Sequence, residues 1–192
     1  MHTTVWTEPG GPLLRDALRL EARTLHQLHQ PPARLEDWLA QRRGLRLRLL
    51  DAAGTFPAPP PLDVREHGTL RLDGLRIVKL TYQSRPGLRV TANLYRPDGA
   101  GPFPGILNVH GHWQQGKIAA RVSGRCQAMA REGFVVLSVD AIGAGERATR
   151  PGQFEHHGHQ GASLFSIGES LLGMQVYDNM RGIDLLQALP YV

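Results

Sequence analysis

The chain has 192 residues, 41% hydrophobic and 20% charged, the composition of a globular protein with a core and not of a disordered chain. Its net charge of +5 is spread along the chain, almost wholly as Arg beside Lys79 and Lys117. With scattered aromatics, that argues against a nucleic-acid module. Cys126 is the single cysteine, so no internal disulfide or Cys-rich zinc site is available and a reducing compartment is expected.

The start, MHTTVWTEPGGPLLRD, has no apolar targeting core and no stretch approaches membrane-spanning length; a cytoplasmic protein without membrane association is expected. Leu14, Ala17, Leu18, Leu25 and Leu28 recur at helical spacing, and after Pro31-Pro32 a second helix runs through Leu35, Trp38, Leu39, Leu45 and Leu49. The run FPAPPPL at 56–62 reads as an extended polyproline-like connector. Residues 1–62 are therefore expected to form a helical arm with its connector, and residues 63–192 the main domain.

Beyond the connector the apolar period changes to two. Leu70 and Leu72, Ile77 to Tyr82, and Leu88 to Leu94, separated by Asp73-Gly74 and Arg85-Pro86-Gly87, predict antiparallel strands. The strand GILNV (105–109), a helix through Ile118, Val122, Cys126 and Met129, and the continuously apolar FVVLSV (134–139) predict a βαβ unit with parallel strands. A loop from Asp140 to about Gly161 leads to a last helix from about Glu169 to Leu189. The expected class is α/β: a mostly parallel sheet led by antiparallel strands, with an N-terminal helical arm. Such an array ordinarily continues from its last helix into another strand.

The segment His110-Gly111-His112-Trp113 leaves the first parallel strand at its carboxyl end, where α/β proteins bind ligands. Gly111 lets the backbone turn tightly, so the next N–H, that of His112, can point at a developing oxyanion. Asn108 to Trp113 resembles the His-Gly oxyanion-hole segment of α/β-hydrolases. Ser138-Val-Asp140-Ala-Ile-Gly143-Ala-Gly145-Glu-Arg147 resembles the Asp-x-x-Gly-x-Gly turn after their next strand. Leu171 to Leu186 is similar to the helix before the nucleophile strand in the acetyl xylan esterase and dienelactone-hydrolase-like branch.

The resemblance implies a serine-type carboxylic ester hydrolase acting on a small ester or acetylated carbohydrate, with no cofactor. It transfers one functional position, the backbone N–H of His112; His110, Gly111 and Trp113 are candidates for the pocket lining. The family's Gly-x-Ser-x-Gly is absent; Gly161-Ala-Ser163 and Gly168-Glu-Ser170 lack its second glycine. The resemblance therefore implies that nucleophile, acid and catalytic His lie beyond Val192, and that this fragment is inactive alone.

Alternative readings are a prolyl-oligopeptidase-type peptidase, a metal-dependent hydrolase using His110 and His112, and a non-catalytic half domain acting by association. The expected metal set is none, because Gln114 and Gln115 stand where further ligands would follow. The cluster His156-His157-Gly158-His159 reads as a solvated loop. Gly143-Ala-Gly145-Glu-Arg-Ala148 matches a dinucleotide fingerprint in letters, yet Pro151-Gly152 leaves no room for the required helix. On the last helix, Asp178, Arg181 and Asp184 are spaced to form a charge ladder.

Overall fold

The computed structural model describes residues 11–28, 31–150 and 159–192. The chain divides into two compact units, residues 1–48 and 49–192. Helix α1 (Gly11–Leu28) and helix α2 (Leu35–Ala53) account for the first unit and the start of the second. Arg34 starts α2 with a bidentate bond to Asp37 (2.8 and 3.0 Å), and Glu36 and Asp37 place negative charge at its N-terminus. No residue of α2 is buried.

The second unit is built on a five-stranded sheet of order β1-β2-β3-β5-β4. Strands β1 (Arg65–Leu72), β2 (Leu75–Arg85) and β3 (Leu88–Pro97) form an antiparallel meander. Its two turns use Gly74 and Gly87, both at φ +75°, a conformation that costs glycine little. Strand β5 (Val135–Val139) pairs antiparallel with β3 and parallel with β4 (Gly105–Asn108). The sheet is thus mixed, led by antiparallel strands as expected, with parallel pairing confined among the described residues to β4 and β5.

Helix α3 (Ala120–Arg131) connects β4 to β5 and packs on one face of the sheet; α5 (Leu171–Gln187) packs on the other. The period-two pattern of β5 divides its side chains between them. Val135, Leu137 and Val139 join Leu185 and Leu186 of α5, and Val136 joins Val122, Cys126 and Ala130 of α3. All five β5 residues are buried, which is why this strand reads as an unbroken apolar run. A short helix α4 (His159–Phe165) lies where the sequence predicts the end of a loop.

The Pro-rich connector lies within the second compact unit, which begins at Leu49. Prolines donate no N–H, but their carbonyls accept: Tyr177 Oη donates to Pro57 (2.9 Å), Arg181 Nη2 to Pro60 (2.7 Å) and Gln83 Nε2 to Pro61 (3.2 Å). Gly173 in α5 admits the end of α2, since a Cβ there would stand 1.7 Å from the Ala53 carbonyl oxygen. The predicted charge ladder on α5 forms only in part. Arg181 pairs with Asp184, whereas the Asp178 carboxylate turns to Arg147 across 2.7 Å.

Candidate functional site

Because β4 and β5 are parallel, their carboxyl ends lie side by side and release two loops on the same edge, residues 109–116 and 140–147. The second loop is organised by Asp140, which is 1% exposed. Its carboxylate accepts from Thr91 Oγ1 (2.7 Å), from the backbone N–H groups of Lys117 (2.8 Å) and Glu146 (3.3 Å), and from the Lys117 ammonium. Lys117, itself buried, also pairs with Glu146. A buried carboxylate bonded on this many sides is the condition under which burying charge is tolerable.

Gly116 (φ +58°) and Gly145 (φ +54°) complete the arrangement. A Cβ on either would stand 2.1 or 2.4 Å from Asp140 Oδ1, so the backbone closes around the carboxylate only where no side chain intervenes. Arg147 Nη1 donates to the Asp140 carbonyl (3.1 Å) and to Asp178 Oδ2 (2.7 Å), tying the loop to α5. Beneath it, Tyr82 Oη donates to the Asp178 carbonyl (2.8 Å). Burial, and then the Asp178 charge, push the Tyr82 phenol well above its ordinary range, so it serves as a neutral donor.

The loop after β4 rests on this base. At its root, Asn108 donates to Ser138 Oγ (3.0 Å), and Arg125 Nη2 donates to Asn108 Oδ1 (2.7 Å) and to the Val109 carbonyl (3.2 Å). The His110 ring is 1% exposed. Its Nε2 accepts from the Ala141 N–H (3.2 Å) and its Nδ1 lies 2.8 Å from the Gly111 carbonyl oxygen. The same carbonyl accepts from Trp113 N–H (2.8 Å), closing a tight turn with His112 at its apex. Gly145 N–H donates to the Gln114 carbonyl (3.3 Å), joining the two loops again.

The residues singled out in the sequence thus share one loop, in different settings. His112 is exposed at the apex, Trp113 is 39% exposed beside it, Gly111 is open to solvent, and His110 is folded inward. Two cavities flank the loop. One of about 390 Å3 is lined by Gln114, Lys117, Ile118, Glu146 and Ala148. The other, of about 150 Å3, is lined by Val109, His110, Ala141, Arg147 and Asn179.

His110 cannot offer a ring nitrogen to a metal in this arrangement: the Nε2 lone pair already accepts an amide, and Nδ1 faces a carbonyl, which only accepts. Among the described residues no three His, Cys, Asp or Glu side chains are grouped as a metal site. His156 and His157 lie outside the described residues, and His159 begins α4. Gly143 and Gly145 open a single 3-10 turn, Gly145–Arg147, and no α-helix that could hold a dinucleotide.

The serines considered as nucleophiles have other settings. Ser170 caps α5, accepting from Gly173 N–H (2.9 Å) and donating to the Ala53 carbonyl (2.8 Å); Ser163 is an exposed residue of α4. Sequence reasoning missed the partnership of Asp140, Lys117 and Glu146. Its available signal was an Asp ending a continuously apolar strand, with glycines at 116 and 145.

No protein-family model matches the chain, and no curated protein matches it. Solved structures do. A provisionally assigned acetyl xylan esterase from Bacteroides fragilis NCTC 9343 aligns over 82% of this chain and 45% of its own, with a TM-score of 0.66 and 21% identity. Over most of its length the chain shares the fold of part of this structure. Acetyl xylan esterase from Paenibacillus sp. R4 aligns over 76% of this chain and 53% of its own (TM-score 0.53, 17% identity). Acetyl Xylan Esterase 1 from Thermoanaerobacterium sp. JW/SL YS485 aligns over 76% and 51% (TM-score 0.51, 15% identity). The chain therefore spans about half the length of the structures it matches. Among the described residues no helix is long and apolar enough to cross a membrane.

Proposed function

We propose that these residues form the oxyanion-hole side of a serine-type carboxylic ester hydrolase that removes acetyl groups from carbohydrate. The observation that carries this reading is the tight turn at the carboxyl end of β4. It puts His112, an exposed residue, at the apex of the turn, while His110 and the loop organised by Asp140 hold the turn from behind. A backbone N–H held in advance where negative charge develops stabilises the tetrahedral intermediate without reorganising during the reaction. The esterase fold and the acetyl xylan esterases sharing it support the acyl-transfer chemistry.

In this account polypeptide outside the 192 residues supplies a serine, activated by a His and an acid, and the second oxyanion donor beside it. The serine forms an acyl-enzyme, releases the sugar hydroxyl, and water completes hydrolysis. Trp113 and the 390 Å3 cavity would line the path of the ester. The buried single thiol of Cys126 agrees with a reducing, cytoplasmic setting.

The test is acetate release from acetylated xylo-oligosaccharides by the natural polypeptide and by its His112→Pro variant, which lacks the amide hydrogen. The expected loss in kcat is about 100- to 1,000-fold, that of one oxyanion donor. Unchanged kcat in His112→Pro, or absence of acetate release by the parent, would overturn the reading.

A further inference from the structure

We infer that His110 is a positioning residue whose neutral imidazole, protonated on Nδ1, fixes the peptide plane that aims the His112 N–H. The tautomer follows from the two hydrogen-bond partners, since Asp140 Oδ1, 4.0 Å from Nε2, is too distant to accept a hydrogen bond from it. A backbone amide can only donate, so Nε2, 3.2 Å from Ala141 N, must accept and carries no hydrogen. A carbonyl oxygen can only accept, so Nδ1, 2.8 Å from Gly111 O, must donate. One neutral form satisfies both contacts; the opposite tautomer and the imidazolium each set an N–H against the Ala141 amide.

The consequence is mechanical. The carbonyl that His110 holds belongs to the peptide unit Gly111–His112, and the N–H of that unit is the proposed oxyanion donor. Fixing one end of a planar peptide fixes the other. Trp113 N–H binds the same oxygen from the other side (2.8 Å), and the Ala141 amide belongs to the loop that Asp140 anchors. The imidazole thus transmits the rigidity of the loop after β5 to one peptide plane in the loop after β4. Glycine at 111 has open space where a Cβ would stand, so no side chain of its own restrains that plane.

The tautomer and its bonds stand on geometry alone; the catalytic consequence rests on the esterase reading. Long-range 1H–15N correlation on the 192-residue chain at pH 7.5 is expected to show a protonated Nδ1 and an unprotonated, hydrogen-bonded Nε2. In His110→Phe the Ala141 amide should exchange about tenfold faster, the effect of losing one hydrogen bond. His110→Gln, which can return an acceptor, should restore part of the protection.

In the natural polypeptide His110→Phe should lower kcat by roughly 10- to 100-fold, a misplacement effect, with KM nearly unchanged. An Nε2-protonated ring in the parent, unaltered Ala141 exchange in a folded His110→Phe, or unaltered kcat would each overturn the assignment. A parent polypeptide with no esterase activity would overturn the esterase reading, while tautomer and exchange would still decide the role of His110 in the turn.

Discussion

The two loops at the carboxyl ends of β4 and β5 differ in almost every physical respect, although they leave neighbouring strands on the same edge. The loop after β5 begins at a carboxylate that is 1% exposed, closes on it with main-chain amides, and has no room for side chains at its glycine 145. The loop after β4 is largely exposed from Gly111 to Gln115 and is held at a few points, chiefly His110, Asn108 and the Trp113 amide. The contrast teaches a division of labour: one loop is a buried template, and the other is a turn of exposed residues held against it. In the proposed esterase site the order of the exposed turn would come from the buried loop behind it.

The sharpest way to break this comparison is at the template. Asp140→Ala removes the main partner of the buried Lys117 and should destabilise the fold by about 3 kcal/mol or more, the range for orphaning a buried charge; urea denaturation reads it directly. Next are the two glycines. Gly145→Ala forces a left-handed φ of +54° on a side chain whose Cβ meets Asp140 at 2.4 Å and should cost about 2 kcal/mol. Gly111→Ala meets nothing within 4 Å and should stay within about 0.5 kcal/mol. Equal effects at the two positions would remove the distinction between the loops. Arg125→Met, which deletes the bonds to Asn108 Oδ1 and the Val109 carbonyl, should cost roughly 1 kcal/mol and loosen only the root of the exposed loop, visible as faster amide exchange there.

The smallest effect is a pH dependence in the helix behind the site. Burial pushes the Cys126 thiol above its ordinary value, so the unfolded chain gives up this proton first. Its contribution to stability is whole below about pH 9, the unfolded value, and declines as pH rises through the folded one. Native protein should therefore resist thiol reagents, with labelling following unfolding, and Cys126→Ala should flatten the alkaline fall in stability.

Much of the sheet was legible because its signals are local and periodic. Alternating residues in β2 and β3, Gly74 and Gly87 in their turns, and the unbroken apolar β5 each carry their own pattern. The position of the His-Gly segment followed, since any loop after β4 leaves at the carboxyl edge. What was not legible depends on pairs far apart in the chain. Asp140 and Lys117 are 23 residues apart, and an isolated Lys or Asp in a sequence reads by default as surface. The i, i+3 spacing of Asp178 predicts a helical ladder, but Arg147, 31 residues away, binds its carboxylate instead. The connector illustrates the same limit: FPAPPPL announces an extended backbone, while nothing in it announces that Tyr177, Arg181 and Gln83 will bind its carbonyls.

The most direct test of the central claim is to treat the natural polypeptide with a fluorophosphonate probe and map the labelled serine by peptide mass. The account predicts one stoichiometric label on a serine outside residues 1–192, lost when the protein is first unfolded. A label on Ser163 or Ser170, or no label on a folded protein that still releases acetate, would contradict it.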